Sequence, residues 1–209
     1  MNGTELRQLV DQALGVLEAS RDELRDLDAA VGDGDLGITV SKGCAAVRTK
    51  LAALDADPTP GQVLRTSGAS FAGGNPSTMA ALVGGALLAG AKAVGEVHEL
   101  DRQGAAKLVR AAYESIMTRG KAQLGDKTIL DAMAPTLEIA DSSDVPDEDM
   151  LARMVADART AVEETSALQS RRGRAAWVGE RSIGHPDPGA TAYLRLLEAL
   201  FASARGTNT

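Results

Sequence analysis

Three aspartates, Asp28, Asp33 and Asp35, crowd into the stretch "LDAAVGDGDLGITV", separated only by small residues and by Gly32 and Gly34. Hard carboxylate oxygens gathered in this way suit Mg2+, Mn2+ or Ca2+. Ionised carboxylates a few ångströms apart repel one another, so the cluster requires a cation or the protonation of one member. An EF-hand does not fit: counted from Asp33 as first ligand, the turn glycine falls on Ile38 and the closing glutamate on Cys44. Mg2+ keeps few protein carboxylates and shares its sphere with phosphate oxygens and water. Two such ions against three carboxylates leave about one positive charge for an acidic ligand such as a nucleotide polyphosphate. The alternative is a solvated acidic turn after a helix, and spacing alone does not separate the two.

Three further loops carry polar residues that could join such a site: Gly73–Thr78, Gly120–Thr128 and Arg174–Gly189. In the first, Asn75 is the expected cap and Pro76 the first-turn residue of a helix whose N–H groups could receive an anion. No Gly-Lys-Ser/Thr follows, so this is not a Walker A loop, and taken alone the stretch reads sooner as an ordinary capped turn. Lys127 reads as a phosphate contact or a solvent-facing lysine. Arg174 offers a cation, and "GHPDPG" offers a sharp turn in which Asp187 caps the last helix from Pro188; that capping suffices to explain Asp187. His185 has no second ligand at metal spacing and reads as structural, while His98 reads as exposed. Trp177 is a surface anchor for a partner or a plug over its loop, and both readings stay open. Met79, Met117, Met133, Met150 and Met154 read as core filler.

The elements that position these loops are helical. Leu6, Leu9, Val10, Ala13, Leu14 and Leu17 share one face, with Thr4 as N-cap and the pattern continuing through a kink to Leu27. Further helices are expected from Gly37 to Leu54, from Pro60 to "AGGNPST", and from there to Val94. Others follow from Asp101 to Arg119, from Thr128 to Ala140 with Pro135 kinking or crowding it, and from Asp147 to Leu168 after the acidic linker "DSSDVPDED". The last runs from Pro188 to Ala204, ahead of a frayed "RGTNT" tail. "QSRRGRAAWVGERSIGHPDPG" shows no periodicity, and no strand pattern stands out. The expected fold is therefore all-α: a single-domain antiparallel eight-helix barrel or bundle over residues 1–209. The four polar loops follow the first, third, fifth and seventh helices, so an antiparallel arrangement puts them all at one rim.

Composition narrows the function classes. Hydrophobic residues make up 44% and aromatic residues 2%, so the core is built from Ala, Leu, Val, Ile and Met, which suits closely packed helices. A net charge of −7 argues against binding nucleic acid or an anionic membrane. The lone cysteine, Cys44, excludes an internal disulfide and a thiolate cluster. The polar start "MNGTELRQ" argues against a signal peptide, and Met79–Val94, interrupted by glycines and a lysine, is short for a membrane span; a cytoplasmic location is expected.

"LDAAVGDGDLG", "GDKTILDAMAPTLE" and "GRAAWVGERSIGHPDPGATAYLRLLEAL" resemble the dihydroxyacetone kinase L-subunit family, with the likeness running through essentially the whole chain. The resemblance implies an eight-helix barrel with ADP or ATP at one rim and two Mg2+ held by Asp28, Asp33 and Asp35. It places Leu36, Gly37, Ile38, Thr39, Ser77 and Thr78 along the phosphates, and Gly120 and Ile129 beside the nucleoside. Arg174, Asp187, Pro188 and Gly189 complete the pocket. It implies that the ketose is held by a K-type partner subunit, often covalently through a histidine. The phosphate then comes from ATP or from a phosphotransferase-system phosphocarrier, and a homodimer is an allowed assembly. No general base or nucleophile stands out, in keeping with phosphoryl transfer by positioning and charge neutralisation without a phosphoenzyme on this chain. Two positions depart from the family pattern: Leu36 replaces a histidine, and "GGNPSTMAA" replaces Gly-Gly-Ala-Ser-Gly-Pro. These departures motivate the expectation of another small ketose, such as erythrulose. Readings of a different class are a non-catalytic module binding a nucleotide or apolar ligand, and a co-regulator docking on a transcription factor.

Overall fold

The computed structural model describes residues 1–206. Among them are nine α-helices: α1 (Gly3–Leu17), α2 (Arg21–Val31), α3 (Leu36–Leu51), α4 (Pro60–Gly74), α5 (Thr78–Val94), α6 (Arg102–Gly120), α7 (Ile129–Asp141), α8 (Asp147–Thr165) and α9 (Pro188–Gly206). Short 3₁₀ turns cover Glu18–Ser20 and Arg174–Ser182. No strand occurs among the described residues, only an isolated antiparallel bridge between Asn2 and Glu99. The fold is all-α, as expected, and no described helix is long and apolar enough to cross a membrane.

The helix count exceeds the expected eight because the first expected helix is two. The 3₁₀ turn at Glu18–Ser20 interrupts it, and Asp22 and Glu23 then fall in the first turn of α2, where acidic groups favour a new helix start. Asn2, not Thr4, caps α1: Glu5 N–H donates to Asn2 Oδ1 at 2.9 Å and Asn2 N–H donates to Glu5 Oε2 at 2.8 Å. Thr4 Oγ1 instead donates to the Ala56 carbonyl. Asn75 likewise closes α4, and Ser77 caps α5. Ends also shift: α3 stops at Leu51 and α8 at Thr165, and α9 continues through Arg205 and Gly206. The rest of the expected frayed tail lies outside the described residues. Helix α7 runs unbroken through Pro135, giving up the bond that a residue there would make to the Asp131 carbonyl.

From α3 to α9 each helix packs on its successor, and α1 closes the circle against α9, α3 and α4. Inside lie Leu6, Leu14, Leu24, Val40, Cys44, Val47 and Val63. A second cluster, around Ala132, Met154, Ala158 and Leu194, joins α7, α8 and α9. Of the methionines expected inside, Met133 and Met154 are buried, but Met117 is exposed. Trp177 is 85% exposed, which rules out the plug reading.

Candidate functional site at the loop rim

The acidic turn lies between the end of α2 and the start of α3. Asp28 is on the last turn of α2, Asp33 is in the turn, and Asp35 is the N-cap residue of α3 without a side-chain capping bond. One oxygen from each carboxylate falls within 4.8 Å of the others. Asp28 is half-buried and accepts the Leu36 N–H at 3.2 Å through Oδ2. Gly32 makes this tuck feasible: a Cβ there would stand 2.5 Å from Asp28 Oδ1. Burial raises the Asp28 pKa above the ordinary aspartate value; the Leu36 N–H opposes the rise, and the negative charges of Asp33 and Asp35 add to it.

The cluster already attracts a positive group. Arg174 donates to Asp33 Oδ2 and, at 3.1 Å, to Asp35 Oδ2. A donor set of three hard carboxylates drawn together, one of them destabilised as an anion, fits a divalent cation.

Side-chain bonds tie all four predicted loops into one rim. Asn75 Nδ2 donates to Thr39 Oγ1 at 2.9 Å, bringing the N-terminus of α5 beside that of α3. Arg174 joins the last loop to the aspartates. Lys127 Nζ donates to the Ser182 carbonyl at 2.5 Å, joining the third loop to the last, and Arg172, just ahead of the last loop, donates through Nε to Asp126 Oδ2 at 2.8 Å. The first-turn N–H groups of α3 and α5 have no acceptors within their own helices, so these two helix ends present donors and positive dipole ends beside the acidic cluster.

The other predicted residues divide by environment. Ile38 and Thr78 are exposed on the first turns of α3 and α5, and Ser77 spends its hydroxyl accepting the Ala80 N–H at 3.1 Å. Leu36 packs into the core, and Gly37 and Thr39 are also buried. Gly120 ends α6 beside Leu82, and Ile129 opens α7 close to Gly189. Asp187 and Pro188 are buried at the start of α9. Asp187 Oδ2 accepts the Ala190 N–H at 2.7 Å, and the Asp187 N–H donates to Thr165 Oγ1 at 2.9 Å. The capping function expected of Asp187 is therefore present, and its carboxylate is turned into its own helix.

Burial pushes the Asp187 pKa from 3.8 up to about 7; Asp131 adds to the rise, while the Ala190 and Gly189 N–H groups and Lys127 oppose it. The folded protein thus holds a proton that the unfolded chain releases, and stability from this group falls as pH rises from about 4 to about 7, then levels. Asp187→Asn keeps the cap and removes the charge. Its Tm should match the wild type near pH 4 and exceed it by at least about 5 °C near pH 8. Thermal melts at the two pH values check this.

Sequence reasoning misplaced Lys127. It is 1% exposed, touches neither solvent nor the acidic cluster, and donates to two backbone carbonyls of the last loop, Leu168 at 3.0 Å and Ser182 at 2.5 Å. A signal was present. A lysine directly before a helix N-cap opposes the helix dipole, so it needs an acceptor elsewhere. The Asp126–Arg172 pair was also missed.

An all-α ring thus brings three converging carboxylates and two helix N-termini to one rim, a donor set suited to a cation beside an anion. The comparisons with known proteins make this particular. A family model described as "DAK2 domain" matches residues 30–202, including Asp33 and Asp35 and beginning just after Asp28. The chain is 34% identical over 186 residues to the ADP-binding subunit DhaL of PEP-dependent dihydroxyacetone kinase 1 from Listeria innocua, covering 88% of each chain. It is 28% identical over 210 residues to the corresponding Escherichia coli subunit, covering 98% of this chain and 99% of that one. With D-erythrulose kinase of Mycolicibacterium smegmatis it shares 37% identity over 186 residues, 87% of this chain but only 32% of that protein. The crystal structure of dihydroxyacetone kinase from C. freundii in complex with AMP-PNP and Mg2+ has the same fold. Its TM-score is 0.73 at 20% identity, over 97% of this chain and 34% of that one. The chain belongs to the DAK2 domain family as a DhaL-type member.

Proposed function

We propose that this chain is the nucleotide-binding, phosphoryl-donating subunit of a small-ketose kinase, active with a K-type partner that holds the sugar. The observation that carries the reading is the convergence of Asp28, Asp33 and Asp35 with the N-termini of α3 and α5 at one rim. Asp28, Asp33 and Asp35 would hold two Mg2+, which supply charge neutralisation for a polyphosphate. The first-turn N–H groups of Gly37, Ile38, Thr78 and Met79 orient the phosphates. Gly120, Ile129, Pro188 and Gly189 flank the nucleoside, and Arg174, held over the aspartate cluster, meets the transferring phosphate as a cation. Nucleophile and base come with the partner and its sugar.

Relatives named as ADP-binding subunits of PEP-dependent kinases support ADP as a bound cofactor recharged by a phosphocarrier. Relatives named as erythrulose kinases support a four-carbon ketose as the acceptor. Purified chain with its K-type partner, Mg2+ and either ATP or a charged phosphocarrier should phosphorylate a three- or four-carbon ketose, with erythrulose preferred over dihydroxyacetone. ADP that survives gel filtration marks the phosphocarrier-dependent mode. No transfer to any ketose from ATP or from a charged phosphocarrier would overturn the assignment.

A further inference from the structure

Residues 166–184 form a loop closed at its neck, with the Gly184 N–H donating to the Ser166 carbonyl at 2.8 Å and the Ser170 N–H to Ser182 Oγ at 2.9 Å. The head of this loop carries Arg174 to the aspartates and leaves Trp177 in solvent. Lys127 reaches the neck from outside the loop and grips both of its arms, through Leu168 on one side and Ser182 on the other. Its neighbour Asp126 holds the incoming arm: its carbonyl accepts the Arg171 N–H at 3.0 Å and its carboxylate accepts Arg172 Nε.

We propose that Asp126 and Lys127 are positioning residues that latch the neck of the 166–184 loop and so hold Arg174 over the aspartate cluster. The proposal rests on the function assigned above to that cluster.

Lys127 is an expensive way to fill the space. Its ammonium is buried against carbonyls, and its backbone is left-handed at φ 60°, a conformation that a lysine keeps only when its surroundings impose it. An apolar side chain of similar length would avoid burying the charge. What the ammonium provides, and an apolar chain cannot, is a directional bond to each arm of the neck. Arg174 sits only a few residues beyond the residues held by Asp126, so slack at the neck displaces its guanidinium from Asp33 and Asp35.

Trp177 is the only tryptophan in the chain and lies in the loop head, so its fluorescence anisotropy reports the order of this loop. Arg171, Arg172, Arg174 and Arg181 give trypsin cleavage sites in the same segment. Lys127→Met should lower the Trp177 anisotropy and speed trypsin cleavage between residues 171 and 181 by about tenfold, with the Tm within about 3 °C of wild type. With the K-type partner present, kcat should fall by roughly a hundredfold, the order of loss for a misplaced catalytic group. Should Lys127→Met not fold, Arg172→Ala releases the same neck from the surface and is read by the same two signals. A folded variant with unchanged anisotropy and cleavage overturns the latch, as does a loss of kcat that only follows a fall in Tm. Both loop signals are read without nucleotide. Wild-type protein that failed to transfer phosphate would therefore count against the proposed function and leave the latch to be judged on its own.

Discussion

Replacing Asp33 by alanine is expected to reduce phosphoryl transfer by at least roughly a hundredfold while leaving the fold in place, and Asp35→Ala should do the same. The loss follows from charge. Three carboxylates within 4.8 Å of one another, joined by a single guanidinium, hold more negative charge than one arginine neutralises. Removing either carboxylate takes away a ligand oxygen and part of the attraction that would hold cations against a polyphosphate. The fold is spared because both side chains are near half exposed, at 44% and 45%, and an exposed ion pair with Arg174 is screened by solvent and contributes little. Less repulsion among the remaining carboxylates offsets even that. Turnover assays beside urea melts measure both effects, and unaltered turnover in both variants would remove the aspartates from the mechanism.

The second large effect is structural and begins at Gly37. A Cβ at this position would stand 2.1 Å from the Arg21 carbonyl oxygen and 3.0 Å from the Arg25 amide nitrogen. Both obstacles are backbone, so no side chain can swing aside. Gly37→Ala must push the first turn of α3 away from α2, at a cost of about 3 kcal/mol for overpacking at a rigid contact. For a chain of this size that lowers Tm by roughly 6–12 °C. The urea midpoint should fall with an unchanged slope. Because Asp35 and Leu36 lead directly into that turn, nucleotide binding should weaken together with stability, even though Gly37 has no side chain to offer a ligand. A variant as stable as wild type would show that α2 and α3 can separate there.

The rim was legible in the sequence to the extent that its signals are local. The aspartates stand within one short turn, and "DPG" at residues 187–189 announces a capped helix start. Helical periodicity counted the loops well enough to put all four at one end, even with the first helix split at Glu18–Ser20. Local competition explains the small errors. Asn2 and Thr4 are both good caps, and only the reciprocal bond with Glu5 selects Asn2. Ser77 takes the cap expected of Asn75 because Asn75 is engaged with Thr39 across the rim.

What stayed hidden is long-range and aperiodic. Lys127 meets acceptors 41 and 55 residues away, and Arg174 meets Asp33 from 141 residues away. No spacing rule encodes such pairings. The side chain of Leu36, conspicuous as a departure from the family pattern, goes into the core, and its contribution to the rim is a backbone N–H that any residue but proline would supply. The resemblance points to the rim; the structure separates the residues that face it from those that brace it.

Calorimetric titration of ADP into the purified chain, first stripped of any retained nucleotide, once with Mg2+ and once with EDTA, tests the central claim most directly. Binding that is strong with Mg2+ and lost in EDTA is the predicted result, because the acidic rim repels a polyphosphate unless cations lie between them. Equal binding in both buffers, or none in either, would contradict the account.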